Sequence, residues 1–132
     1  MAFTLDEKFI ELAEAELGIR FPDSFRNRMM QRNGGSIEIF EDVFDLHPFY
    51  DTTDKRRLKS SCNSIVHETQ TARQHYGLPD DLILIARNGG GDSLCFQILK
   101  NGELDQHVYL HRHDVDELQP VAAEFSAMPV TT

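Results

Sequence analysis

The side chains best suited to chemistry lie in one short run, His107-Val108-Tyr109-Leu110-His111-Arg112-His113. In an extended strand successive side chains alternate, so His107, Tyr109, His111 and His113 share one face and Val108 and Leu110 the other. A His-x-His pair on a strand can chelate zinc, and Asp114 could add an oxygen. A structural zinc site also needs a fourth fixed ligand, however, and a catalytic one an identifiable base. No such partner can be located by spacing, so the run reads as a solvated or partner-facing strip, with a metal-dependent enzyme on His107, His111 and His113 as the competing reading.

The other chemical possibilities are thinner. Asn88-Gly89-Gly90-Gly91-Asp92 could form an anion nest, but phosphate loops lead into a helix N-terminus, whereas these glycines lead into another strand. They read as a hairpin turn. Cys95 falls inside an apolar strand and reads as core; Cys62 falls early in a helix with no histidine partner assignable to it, and reads as a plain thiol. The carboxylates Glu41, Asp42, Asp45, Asp80 and Asp81 fall on loops and element ends, and spacing alone cannot pair them across a cleft. We assign no catalytic residue, no metal ligand and no cofactor.

The elements that must position these residues follow from periodicity. Thr4 and Glu7 suggest a capping box for a first helix to about Glu16, with Leu5, Phe9, Leu12 and Ala13 on its buried face and Gly18 ending it. Pro22 opens a second helix to about Arg32, packed through Phe25 and Met29, and Asn33-Gly34-Gly35 ends it. Ser36 to Phe40 reads as a strand, and Glu41 to Lys59 as irregular. A third helix spans about Ser61 to Tyr76, packed through Ile65, Val66, Thr69 and Ala72. Strands at Leu82 to Arg87, Ser93 to Leu99 and Leu104 to Arg112, joined by glycine-rich turns, form a β-meander. Asp116 caps a closing helix lined by Leu118, Val121, Ala122 and Phe125, and a tail from about residue 128 frays. This is an α+β fold: an antiparallel sheet, made of a meander plus one extra strand, packed with about four helices in a single domain over residues 1–132.

Composition narrows the partners. The chain has 22 acidic and 13 basic side chains, a formal charge of -9, which opposes the counterion release that drives nucleic-acid binding and suits either basic protein partners or solubility alone. Two cysteines in unlike contexts offer no disulfide framework and fit a reducing cytoplasm. No stretch reads as an export signal or a membrane span.

Several segments together resemble the SUKH superfamily, which contains fungal cell-wall-synthesis regulators and many bacterial immunity proteins. The resemblance starts with Glu14-Ala15-Glu16-Leu17-Gly18-Ile19-Arg20-Phe21-Pro22-Asp23-Ser24-Phe25 running into Asn33-Gly34-Gly35. It continues through Gly77-Leu78-Pro79-Asp80-Asp81-Leu82-Ile83-Leu84-Ile85-Ala86 and Gly91-Asp92, and closes with Val108-Tyr109-Leu110-His111 and Val121-Ala122-Ala123-Glu124-Phe125. Departures occur at Arg112-His113-Asp114, at Ala123-Glu124-Phe125 and between Glu41 and Lys59. The resemblance implies a non-catalytic protein-binding domain, with the bacterial task of neutralising a nuclease or deaminase toxin; a regulatory scaffold is the alternative. The partner surface expected on this basis draws on Asn33, Gly34, Gly35, Asp80, Asp81, Gly91, Asp92, His107, Tyr109 and His111.

Overall fold

The computed structural model describes all residues except Met1, Asp116, Pro129 and Thr132, and only the backbone of Val130 and Thr131. Helix α1 spans Glu7–Leu17 and α2 spans Asp23–Gln31. Asp6, not Thr4, caps α1, its carboxylate accepting from the Lys8 N–H at 3.0 Å. The buried stripe of α1 runs through Phe9, Ile10 and Ala13, which turns Leu12 onto its flank, 59% exposed, against expectation. Buried Arg26 of α2 ties the helices together, donating to Glu7 at 2.7 Å and to Glu14 at 3.1 Å. Burial works to lower the Arg26 pKa, but those two carboxylates outweigh it and raise it.

Strand β1 (Ser36–Ile39) forms where expected and makes a hairpin with β2 (Asp42–Leu46), which lies in the region expected to be irregular. Its two-residue loop, Phe40-Glu41, has positive φ at both positions, 53° and 63°. Hairpin loops with that backbone are normally signalled by Asn-Gly or Asp-Gly, so the Phe-Glu pair hid it. A short α3 (Lys55–Ser60), capped by Asp54, also lies in that region. Helix α4 (Ile65–His75) starts later than expected, because Ser64 caps it by accepting from the His67 N–H.

Strands β3 (Leu82–Arg87), β4 (Ser93–Gln97) and β5 (Val108–Arg112) form the expected meander, with Leu104 contributing an isolated bridge to Ile98. The expected closing helix is corrected: Glu117–Ala122 is a strand, β6, pairing antiparallel with β5. Leu118, Val121, Ala122 and Phe125 do have helical spacing, but Pro120 would remove an interior helical hydrogen bond, and the open edge of β5 supplies a ladder instead. Its expected cap, Asp116, lies outside the described residues. Phe125–Ala127 forms a single 3-10 turn. In the tail expected to fray, Val130–Thr131 form β7, which pairs with β1. The sheet is antiparallel, seven-stranded and ordered β6-β5-β4-β3-β2-β1-β7, in an α+β fold.

One face of this sheet carries the main core. Ile83, Ile85, Leu94, Phe96, Val108 and Leu110 pack there with Phe9, Ile10, Phe25 and Met29 from α1 and α2. Phe25 is its centre, in edge contact with Phe96 at 5.3 Å and Phe125 at 4.9 Å between ring centroids. On the opposite face Leu82, Leu84 and Cys95 pack with Leu78, and Ala72 of α4 and Leu118 lie against them. The Leu84 N–H donates to the buried Thr69 hydroxyl at 3.0 Å, where the β3–β4 register shifts.

Candidate functional site

Strands β1 to β6 follow one another across the sheet, so the turns β1–β2, β3–β4 and β5–β6 all lie at the same end. These three tips bring together Phe40, Glu41 and Asp42, then Asn88 to Asp92, then His113, Asp114 and Val115. Three large apolar side chains are exposed at this end, Phe40 (68%), Val115 (61%) and Val43 (51%), among the carboxylates Glu41, Asp42, Asp92 and Asp114. Asn88 organises it: its Oδ1 accepts from the Gly90 and Asp92 N–H groups and its Nδ2 donates to Asp42 at 2.6 Å, tying two tips together. Gly91 has φ +90°, and a Cβ there would stand 3.2 Å from the His113 ring, so the third tip closes over it.

The ten residues expected from sequence are not gathered in one place. Gly91, Asp92 and His111 fall at or beside the hairpin end, His111 pairing with Ser93. Exposed Asp80 and Asp81 precede β3 and belong to the opposite end, where Asp81 accepts from Gln97 at 3.1 Å. His107 and Tyr109 lie toward that end too, organised by Asp105, which accepts from the Tyr109 hydroxyl at 2.7 Å and contacts the His107 ring at 2.8 Å. That hydrogen bond pushes the Tyr109 pKa up to about 12, with burial and the Asp105 charge adding to it. Burial of Asp105 works to raise its pKa, but the His107 N–H and the Tyr109 hydroxyl hold it below the ordinary carboxylate value.

Asn33, Gly34 and Gly35 have structural tasks. The Asn33 side chain accepts from the Phe49 N–H at 2.7 Å and donates to the Phe49 carbonyl at 2.8 Å. A Cβ on Gly35 would stand 2.7 Å from the Arg28 guanidinium, which donates to the Gly34 carbonyl at 2.9 Å.

Sequence reasoning missed the exposed Phe40 tip and a second feature, a hollow of about 380 Å³ between α4 and the sheet face opposite the main core. His47, Arg87, Glu68, Tyr76, His111 and His113 line it, with Ala72, Leu78 and Leu84 as apolar walls. The His47 side chain is buried, and its Nε2 has no hydrogen-bond partner. Burial first, and the nearby Arg87 charge second, push its pKa down to about 4. A lone histidine after a strand gave no signal of this.

A model of the SMI1 / KNR4 family (SUKH-1) matches residues 4–128, from before α1 to the end of the 3-10 turn. The chain belongs to this family. A search of curated proteins finds no match.

The SUKH-1 assignment frames the remaining chemistry. Cys62 lies in the turn between α3 and α4, not inside a helix as expected, exposed and donating to the Leu58 carbonyl. Cys95 is core, and burial raises its thiol pKa far above the ordinary value. The histidine strip does not converge: His107 turns to Asp105, while His113 approaches Asp92, Nδ1 to Oδ1 3.3 Å. Among the described residues one group of metal-ligand types comes together, Asp92, His113 and Asp114, with ligand atoms within 4.8 Å of one another. It holds one histidine of the strip and lies at the surface. No helix among the described residues is long and apolar enough to cross a membrane.

Proposed function

We propose that this SUKH-1 domain is an immunity-type binding module that neutralises a basic toxin domain of nuclease or deaminase type by occluding it with the hairpin end of the sheet. Membership of the SMI1 / KNR4 family carries the reading, since that superfamily contains immunity proteins. Its chemistry supports it. Exposed Phe40, Val43 and Val115 supply apolar anchors of the kind that dominate binding energy, and the surrounding carboxylates complement a basic cleft and exclude like-charged partners. The net charge of -9 adds long-range attraction that raises the association rate. Gly91, Asp92 and His111 take part at this end; Asp80, Asp81, His107 and Tyr109 lie outside the central contact.

The test is to identify the partner encoded beside this gene in its source genome and follow association by stopped flow as ionic strength rises. Association slows steeply while dissociation changes little, because the steering charges are exposed. Phe40→Ala speeds dissociation by about tenfold or more, as loss of a buried aromatic anchor does. An acidic partner, or an association rate indifferent to salt, would overturn the proposal.

A further inference from the structure

We propose that the hollow between α4 and the sheet is a binding site for a carboxylate carried on a short apolar stem, recognised by Arg87 and His47. This goes beyond the toxin-binding reading and does not depend on it.

The argument starts from His47, one residue beyond β2. Its backbone N–H donates to the Ile85 carbonyl at 2.8 Å, which fixes its place against β3. The side chain is 3% exposed, and its buried Nε2 finds no partner. Native folds seldom leave a buried polar atom unsatisfied, and the residue that carries this one lines the hollow. The ring is neutral at neutral pH, because burial and then Arg87 oppose its protonation. A neutral imidazole can present one N–H, which suits an oxygen acceptor.

Arg87 supplies the charge. Its guanidinium has no ion-pair or hydrogen-bond partner among the described residues, although it stands close enough to His47 to bias its titration. A planar guanidinium fork matches a carboxylate, and a ligand cation would meet its repulsion. The walls Ala72, Leu78, Leu84 and Tyr76 would take an apolar or aromatic stem, which inorganic phosphate lacks. The volume, about 380 Å³, is near the lower end of the range of small-ligand pockets. Glu68 on the α4 wall is the one carboxylate lining the hollow among the described residues, and it disfavours a ligand with a second negative charge. The same group could come from a free small acid or from the C-terminus of a peptide.

The experiment titrates the full chain with 3-phenylpropionate and, as control, 3-phenylpropanamide, by calorimetry and by the His47 ring signals in NMR. The acid binds at least about tenfold more tightly than the amide and moves the His47 ring resonances. Arg87→Gln, an exposed change, weakens the acid by about ten- to a hundredfold, the effect of losing one charge-assisted hydrogen bond. Glu68→Gln tightens it. His47→Phe loses the acid and His47→Gln keeps part of the affinity, with thermal unfolding confirming that both variants fold. A short peptide ending in phenylalanine, with its carboxylate free or amidated, separates the sources: tighter binding of the free-ended peptide than of the acid assigns the site to a chain terminus, and the reverse to a small acid. Equal binding of acid and amide, unchanged affinity in Arg87→Gln, weaker binding in Glu68→Gln, or no movement of the His47 signals at about millimolar acid would overturn the proposal.

Discussion

The two faces of the sheet are built to different standards. Toward α1 and α2, Phe21, Phe25, Phe49, Phe96 and Phe125 are almost fully buried, Arg26 is paired with two glutamates and Asn33 with both backbone groups of Phe49, while Nε of Arg32 at the end of α2 is without a partner. Toward α4 the apolar cluster is small, and Nε2 of His47 and Nε of Arg73, buried on that side, are without partners. The larger, aromatic cluster lies on one face, and the smaller cluster on the other borders a hollow.

The largest effect that would sharpen this contrast is on the packed face. Phe25→Ala removes the hub of the aromatic cluster and is expected to cost about 3–5 kcal/mol, against about 2 kcal/mol for Leu84→Ala on the opposite face. Urea unfolding of both variants checks it; equal losses would break the contrast.

Next comes His47. Its pKa is about 4 in the folded chain against 6.5 for the ordinary group, so between those values the unfolded state binds the extra proton. Stability contributed by keeping this ring neutral is present above pH 6.5 and lost as pH falls toward 4, by on the order of 3 kcal/mol. Denaturant unfolding at pH 7 and pH 4.5 should show that loss, and His47→Gln should remove most of it.

The smallest effect is at the hairpin end. His113 has a side chain 58% exposed and, among the described residues, meets only Asp92 in an ion pair, so His113→Ala should shift stability by less than about 0.5 kcal/mol. A loss above about 1 kcal/mol in thermal unfolding, reversed by added zinc, would show instead that Asp92, His113 and Asp114 hold a structural metal.

The meander was legible because strong local signals agreed: alternation in β5 placed Val108 and Leu110 inward, and β3 begins where its apolar run does and ends one residue after it, at Arg87. Two misses share one physical cause, information held by a distant partner. The β1–β2 turn tolerates positive φ at Phe40 and Glu41 without a glycine, held by the ladder on either side of it. The segment around Pro120 has helical spacing but is a strand because β5 offers it an edge. The hairpin end was half legible, through Gly91, Asp92 and His111; Phe40 joins it only because alternate turns of an antiparallel sheet fall on the same side. His47 was illegible, since nothing local distinguishes a histidine that ends buried beneath α4 from one in water.

The two-residue strand β7 and the proline in β6 bear on a hazard that every open sheet faces. A bare outer strand is a template on which another chain can add and a filament can grow. Here β7 occupies part of the outer side of β1, at Ser36 and Ile37. At the other margin β6 carries Pro120, which has no N–H to offer, and its register with β5 is broken between Val108 and Tyr109. Neither margin presents a long regular ladder, so the protein can expose Phe40, Val43 and Val115 at its hairpin tips while its backbone gives copies of itself little to polymerise on.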